Sequence, residues 1–296
     1  MYKKTIIITI VYKKNISNNE LLSIESTKKY LKNYEKVIVA PKKFLSDKDF
    51  NKVWKNFGYN IIYFDNKYFE SIEAYNKFMI SIHFYKEFIN YEYMLICQLD
   101  VLILSDKLEN WLSKKFDYIG APWILEEKDG LRFNYAGNGG LSLRRVKSFL
   151  NVLESKHFYY KNKTYNTIPL TAGLNNIVLI KLFLRYKFLK KFTPLFKYIY
   201  KGHEDIFWSF YADFFLKEFN VANAEESLAF SFECYPEFCY EKNNLKLPFG
   251  VHAWEKYNPT FWKEKVPEFF DNMNIIIQRR EKKAKSQINN IENNTH

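Results

Sequence analysis

The residues best suited to chemistry lie in an otherwise apolar run over 93–104. This run contains Gln98 and Asp100 among Leu, Ile and Val residues, and no Lys or Arg occurs between Leu95 and Leu104. A carboxylate in a buried strand must be paired, hydrogen-bonded or bound to a cation. A metal ion or a polar ligand at the end of the strand is therefore the expected partner of Asp100.

Three further polar clusters follow along the chain. They are Gly137-Asn138-Gly139-Gly140 with Arg144 shortly after it, the pair Glu204-Asp205, and His252. Each cluster alone has an ordinary structural explanation: a tight turn, a helix N-terminus favoured by the helix dipole, or a hydrogen-bonded structural histidine. Their occurrence together in one chain indicates a functional site more strongly than any one of them does.

The elements that must position these residues alternate between strands and helices. Strands are predicted over 5–11, 36–41, 59–64 and 94–104, and helices over 19–33 and 71–88. This βαβ alternation predicts an α/β, Rossmann-type domain whose mixed, mostly parallel sheet is flanked by helices. Ligands bind such sheets at the carboxyl ends of the strands, which is where Asp100 falls.

Composition limits the class of protein and its partners. The 296 residues are 47% hydrophobic and 26% charged, as in soluble globular proteins, and the formal net charge of +12 favours anionic partners. Nucleic acid is not predicted as a partner, because no zinc-finger spacing or RNP-type motif accompanies the charge. The three cysteines include no CxxC pair, and no secretory signal or bilayer-length apolar stretch occurs. We therefore predict reduced cysteines and a cytoplasmic location.

The positive charge is concentrated in one part of the chain. Residues 155–203 contain ten Lys or Arg and no Asp or Glu, and over 181–201 the basic residues alternate with Leu, Phe and Tyr. This pattern is typical of an interfacial helix on an anionic membrane surface, which would make the protein peripheral to the cytoplasmic membrane. It is equally typical of an amphipathic helix that packs on the domain and exposes a basic face to solvent.

Taken in order, these motifs resemble the glycosyltransferases of the GT-A fold, and in particular a little-characterised branch found in bacteria and fungi. The matching motifs are Gln98-Leu99-Asp100, Gly137 to Arg144, His203-Glu204-Asp205 and Phe249-Gly250-Val251-His252. The resemblance implies a GT-A-like domain over 1–277 with a basic aromatic insertion at 176–201, followed by a flexible basic tail at 278–296. Gln98 departs from the general Asp-x-Asp pattern, in which an acid holds that position.

The resemblance also implies a role for each cluster. Asp100 and His252 would hold a divalent metal, and a histidine ligand favours Mn²⁺ over Mg²⁺. Asp205 would be the catalytic base of an inverting enzyme, with Glu204 orienting groups or contacting the acceptor; in a retaining enzyme the pair would only bind sugar. The donor would be bound by Gln98, the backbone of Gly137, Gly139 and Gly140, the amide of Asn138, and Arg144. Arg144 would either pair with phosphate or form a structural salt bridge.

The function implied by the resemblance is sugar transfer from a nucleotide-sugar, with a UDP-sugar favoured, to a glycan or lipid-linked acceptor. The setting would be synthesis of a bacterial surface polysaccharide, such as capsule or lipooligosaccharide. The alternative is a non-catalytic nucleotide-sugar or glycan binding module on the same fold, an idea that Gln98 keeps open. Such a module would bind the donor without turning it over.

Overall fold

A computed structural model describes residues 3–155 and 200–278, apart from residues 273 and 276. The strands in chain order are β1 (Lys3–Ile10), β2 (Glu35–Pro41), β3 (Asn60–Phe64), β4 (Tyr91–Cys97), β5 (Leu102–Ile103), β6 (Tyr118–Gly120), β7 (Pro122–Glu127), β8 (Gly130–Ala136), β9 (Leu141–Arg145), β10 (Ser231–Phe232) and β11 (Gly250–Val251). The α-helices are α1 (Asn18–Tyr30), α2 (Lys48–Asn56), α3 (Ile72–Met79), α4 (Ile82–Glu87), α5 (Leu108–Ser113), α6 (Val146–Glu154), α7 (Glu204–Ile206), α8 (Ala224–Phe230), α9 (Pro236–Lys242) and α10 (Pro259–Lys265).

The main sheet has six strands in the order β3-β2-β1-β4-β9-β6. Strands β1 to β4 are parallel to one another, whereas β9 runs antiparallel to both β4 and β6. The run Ile6-Ile7-Ile8 explains why β1 is central, because all three side chains are buried and a strand covered on both faces must be apolar throughout. The predicted class, a mostly parallel sheet flanked by helices, is confirmed.

A second sheet has three strands in the order β10-β11-β5, each only two residues long. Phe232 pairs with Val251 in parallel, and Val251 pairs with Leu102 in antiparallel register. All three side chains are fully buried. Strands this short are held by packing more than by their own ladders, so this small sheet depends on the core around it. Its outer ends carry residues of the candidate site.

The predicted strand over 94–104 is wrong in one respect. Strand β4 ends at Cys97, the chain turns so that Val101 N–H donates to the carbonyl oxygen of Gln98 (3.1 Å), and Leu102 enters the second sheet. Gln98 and Asp100 therefore lie in the turn between two sheets rather than inside one continuous strand. An alternating or continuous apolar pattern gives no sign of such a change of sheet.

The predicted helix over 71–88 is two helices, α3 and α4. Ser81 breaks it, because its backbone is extended and its hydroxyl accepts a hydrogen bond from Phe84 N–H (3.3 Å), which starts a new helix. Helix α1 is capped by Ser17 rather than by the neighbouring asparagines. The Ser17 hydroxyl accepts from Glu20 N–H, and the Glu20 carboxylate accepts from Ser17 N–H, which forms a capping box.

Two expectations that concern the whole chain can be compared with the structure. Cys97, Cys234 and Cys239 are not joined by a disulfide in the structure. Within the described ranges, no helix is long and apolar enough to cross a membrane. The basic segment lies outside the described residues apart from its last two positions, 200 and 201, and so does the tail from 279 onward. The membrane interpretation of 181–201 stays a prediction.

The small sheet is tied to α1 through one buried hydroxyl. Ser26 is fully buried; its hydroxyl accepts from Ile103 N–H (3.1 Å) and donates to the carbonyl oxygen of Ser23 (2.8 Å). We expect Ser26→Ala to lower the free energy of unfolding by about 1–3 kcal/mol, because the Ile103 N–H loses its acceptor while it stays buried. Ser113→Ala, at an exposed serine that ends α5, is the matched control and should change the free energy of unfolding by less than about 0.5 kcal/mol. Urea denaturation measures both, and equal effects would contradict this account.

Candidate active site

Three polar residues lie side by side because each flanks one strand of the small sheet. Glu233 directly follows β10, His252 directly follows β11, and Asp100 lies two positions before the start of β5. The backbone fixes this row: His252 N–H donates to the Phe232 carbonyl oxygen (2.9 Å), and Trp254 N–H donates to that of Asp100 (3.4 Å). Residues separated by more than 150 positions in sequence are thereby brought together.

The His252 ring lies between the two carboxylates. Its Nε2 is 3.5 Å from Asp100 Oδ2 and its Nδ1 is 3.2 Å from Glu233 Oε1. The second contact is an ion-pair distance whose alignment falls short of a regular hydrogen bond. Burial by itself would lower the pKa of His252, but the two carboxylates outweigh burial and raise this pKa to about 10. Burial by itself would raise the pKa of Asp100. His252 outweighs burial and holds this pKa below its usual range, and the nearby Lys256 ammonium makes a smaller contribution in the same direction.

This arrangement fits a divalent cation completed by a ligand. Asp100 Oδ1 is buried and accepts no hydrogen bond from the described part of the chain, so it has lone pairs to offer. Carboxylate oxygen and imidazole nitrogen together suit Mn²⁺. No group of three His, Cys, Asp or Glu side chains within 3–155 and 200–278 could hold a metal ion on its own. Substrate phosphate oxygens and water would therefore have to supply the remaining ligands.

Two adjacent glycines separate this row from the Glu204-Asp205 pair. A Cβ built on Gly140 would lie 2.1 Å from His252 Nε2, and one built on Gly139 would lie 2.3 Å from Glu204 Oε1 and 3.4 Å from Asp205 Cβ. Only a residue without a side chain fits at either position. The predicted Gly137–Gly140 turn therefore brings the Glu204-Asp205 pair and His252 against consecutive residues of one backbone segment.

The rest of the glycine turn is held by its own hydrogen bonds. The N–H groups of Gly137 and Asn138 both donate to the Ala121 carbonyl oxygen (3.0 Å each), and Gly137 has φ +118°, which favours glycine. The Asn138 side-chain oxygen accepts from Gly140 N–H (3.0 Å), which closes an Asx turn. The Asn138 amide NH₂ is thus the part of this side chain that remains to contact a sugar hydroxyl.

Arg144 forms the structural salt bridge that the sequence left open. It is fully buried, and its guanidinium makes a two-pronged contact with Glu204 at 2.7 and 2.9 Å. The remaining donors reach the Tyr85 hydroxyl and the Ser142 hydroxyl (3.0 Å each) and the Gly139 carbonyl oxygen (3.4 Å). All five N–H groups of Arg144 are therefore engaged within the protein, which leaves none to bind a phosphate.

The same contact bears on the role predicted for Glu204. Both carboxylate oxygens of Glu204 accept from Arg144, and its backbone N–H donates to the Asn76 side-chain oxygen (2.9 Å). Glu204 is buried, whereas the adjacent Asp205 keeps partial exposure. Of the two roles predicted for Glu204, this contact favours orienting neighbouring groups over contacting an acceptor, because both carboxylate oxygens are engaged by a buried cation. It holds the Arg144 guanidinium, and its charge acts on the adjacent Asp205.

Asp205 has the electrostatics of a proton acceptor. Burial and the charge of Glu204 raise its pKa to about 7, although its Oδ1 accepts a hydrogen bond from Ile206 N–H (2.8 Å). Glu233 contributes further negative charge in the same direction. A carboxylate with a pKa near the working pH combines a deprotonated state with enough basicity to take a proton. Asp205 is therefore the best candidate for a base among the clustered residues.

A cleft of about 640 Å³ opens on the other side of Asp100. Gln98 and Asp100 line it together with Tyr12, Tyr75 and Lys13, at the carboxyl ends of β1 and β4. Gln98 is held there by two hydrogen bonds: its N–H donates to the Gly140 carbonyl oxygen and its Nε2 donates to the Tyr75 hydroxyl, each at 3.0 Å. A larger cleft of about 740 Å³, near Lys4 and Glu109, is lined by none of the predicted site residues.

The sequence missed Glu233, Tyr75 and Lys256. Glu233 follows a two-residue strand between two helices, where no pattern separates it from an ordinary surface acid. Tyr75 is one tyrosine among 23 in the chain, and its position on the cleft depends on how α3 packs. Only Lys256, four residues after His252, had a usable signal: a cation next to a predicted metal and phosphate site.

The chain belongs to the DUF5672 family, a family of proteins of unknown function, whose model matches residues 58–252. The matched range contains every residue of the Asp100, His252, Glu233 and Asp205 cluster. No protein of curated function matches the chain in sequence. The family assignment therefore brings no activity with it.

Several solved structures are similar to this one. The galactosyltransferase LgtC, in complex with donor and acceptor sugar analogs, is 11% identical with a TM-score of 0.43, and the match covers 89% of this chain and 94% of that one. Mouse xyloside xylosyltransferase 1 is 11% identical with a TM-score of 0.41, covering 84% and 97% of the two chains. The inositol-1-phosphate CTP transferase from T. maritima is 16% identical with a TM-score of 0.34, covering 49% and 71%. With TM-scores below 0.5, the functional argument rests on the site itself.

The close approach of Gly140 to His252 makes a direct test of the site geometry. We expect Gly140→Ala to destabilise the protein by about 1–3 kcal/mol, because the new methyl group overlaps the imidazole ring. In a His252→Ala background the same change should cost much less, since the ring is gone. A double-mutant cycle on the free energies of unfolding measures the coupling between the two positions. Additive effects would show that the glycine and the ring do not meet.

Proposed function

We propose that this protein is a metal-dependent glycosyltransferase that transfers a sugar from a nucleotide-sugar donor to a hydroxyl of its acceptor, with inversion at the anomeric carbon. The observation that carries the proposal is the packing of the Glu204-Asp205 pair and His252 against consecutive glycines. This brings a proton acceptor and a candidate metal ligand, itself next to Asp100, to one short segment of backbone. Sugar transfer needs both: one group to take the acceptor proton and another to stabilise the departing diphosphate.

The donor side is formed by the turn after β4 and the end of β11. Asp100, through its buried unpartnered Oδ1, and His252, through Nε2, are the residues that would hold Mn²⁺. When bound, the metal would act as a Lewis acid on the diphosphate oxygens. Lys256 adds a positive charge near Asp100, and the cleft beside Gln98 has room for the nucleoside. The space beside Gly139 and Gly140 is filled by Glu204 and His252, so these glycines serve to bring the two side chains close to one backbone segment.

The acceptor side is Asp205. Its carboxylate, with the pKa raised to about 7, would accept the proton of the acceptor hydroxyl as that oxygen attacks the anomeric carbon. Glu204, the neighbour of Asp205 in sequence, is held in a buried ion pair with Arg144, and its charge raises the pKa of Asp205. If the enzyme retains configuration instead, Asp205 would bind sugar without taking a proton.

The finer identity of the substrates follows from the resemblance described above. We propose a UDP-sugar as donor, because UDP is the common donor nucleotide of GT-A enzymes, and a glycan or lipid-linked acceptor in bacterial surface polysaccharide synthesis. Attachment to an anionic membrane through 181–201 would suit a lipid-linked acceptor. The test of the whole proposal is release of the leaving nucleotide (UDP, GDP or CMP) from a panel of UDP-, GDP- and CMP-sugars by the full chain, with Mn²⁺ or with a chelator.

Replacing Asp205 should separate catalysis from binding. We expect Asp205→Asn to lower kcat by about 10²–10⁴-fold, the usual worth of a general base, with little change in KM for the donor. In the wild type, kcat should fall as pH drops through about 7, because the Asp205 carboxyl becomes protonated.

Asp205→Asn should also raise the free energy of unfolding, most of all above pH 7. A raised folded-state pKa favours folding at low pH, and that benefit is lost as pH rises from about 4 to about 7.

Glu204→Gln is the control for these electrostatics. The charge of Glu204 raises the pKa of Asp205, so removing that charge should move the acid limb of the kcat profile to lower pH. Equal donor turnover by the wild type and Asp205→Asn would contradict the assignment of the base. Donor binding without any nucleotide release, in the wild type and with every acceptor tried, would favour the non-catalytic binding module.

A further inference from the structure

The strongest unassigned group in the molecule is the Glu233 carboxylate beside His252. We propose that Glu233 is a positioning residue that orients the His252 imidazole for metal binding. This inference rests on the proposed metal site, in which Asp100 and His252 are the protein ligands. Glu233 itself is not a ligand in this arrangement, since it faces the opposite ring nitrogen.

The placement of Glu233 is fixed by strand pairing. The residue directly follows Phe232, whose carbonyl oxygen accepts a hydrogen bond from His252 N–H (2.9 Å). Glu233 Oε1 then lies 3.2 Å from His252 Nδ1, while Asp100 Oδ2 lies 3.5 Å from Nε2. The two carboxylates therefore lie next to different nitrogens of one imidazole ring.

This geometry has a clear chemical meaning in metal sites. A ligating histidine usually donates its second ring N–H to a carboxylate, a carbonyl or water, which fixes its tautomer and its orientation. Here Glu233 would keep the proton on Nδ1, so that Nε2, on the Asp100 side, is the nitrogen that gives up its proton when a metal binds.

The surroundings make this contact effective. The side chains of His252 and Glu233 are only 12% and 16% exposed, so solvent screens their interaction weakly. On one side Gly140 allows the ring no room to move, because its Cα packs directly against the imidazole. With Gly140 limiting the ring's position, Glu233 is the group able to set which nitrogen carries the proton.

The test is Mn²⁺ affinity, measured from the electron paramagnetic resonance of free Mn²⁺ in the presence of UDP. Loss of an outer-shell partner typically weakens metal binding about 10–100-fold. We expect the loss of Mn²⁺ affinity to lie near the upper end of this range in Glu233→Ala. In Glu233→Gln the loss should be about tenfold, because the amide oxygen can still accept a hydrogen bond from Nδ1–H. Glu241→Gln, on the exposed side of α9, is the matched control and should bind like the wild type.

The outcomes separate this inference from the proposal it rests on. If the wild type binds Mn²⁺ and folded Glu233→Ala binds it with an affinity within twofold of the wild type, the role of Glu233 is overturned. The metal site itself is then unaffected. If the alanine variant does not fold, the Gln variant decides, and an affinity within twofold of wild type overturns the inference. The order wild type, Gln, Ala supports orientation through the ring, because a merely structural acid would not grade metal affinity in this way. If the wild type itself binds no Mn²⁺, the metal site fails and this inference fails with it.

Discussion

The pairing of β11 with both of its neighbours is the constraint on which the candidate site depends. Two-residue strands contribute little stability of their own, yet their register determines which residues flank them. Because β11 lies between β10 and β5, Glu233, His252 and Asp100 fall into one row with the imidazole in the middle. A shift of one residue in either pairing would turn His252 away from a carboxylate.

The Arg144–Glu204 ion pair is the second fixed point. Burying two charges is costly unless the geometry is excellent and the remaining donors are satisfied, and here every donor of Arg144 has an acceptor. The pair joins β9, which carries the glycine turn, to the segment that carries Asp205. It also supplies the negative charge that, after burial, does most to raise the pKa of Asp205. A residue pair that stabilises the fold thus also prepares the candidate base.

The sequence predicted the parts of this site that residue chemistry alone can mark. Asp100 was recognisable as a carboxylate in apolar surroundings, the glycines by their density, and the α/β class by the alternation of elements. Tertiary pairing decided the rest. Glu233 joins the site through a two-residue strand that no periodicity can detect, and the continuous apolar run over 93–104 hid a change from one sheet to another. Glu204 and Arg144 were expected to contact ligands, but they bind each other. Their sequence positions gave no sign of this, because the two residues are neighbours only in the folded chain.

The central proposal is that Asp100 and His252 hold a divalent metal that binds the diphosphate of a nucleoside diphosphate. Calorimetric titration of UDP into the full chain, with and without Mn²⁺, tests it most directly, with GDP and CMP as competing nucleotides. The account predicts that Mn²⁺ tightens binding of one of these nucleotides and that Asp100→Ala abolishes the gain while the fold is retained. Nucleotide binding that is indifferent to Mn²⁺, or equally Mn²⁺-dependent in Asp100→Ala, would contradict it.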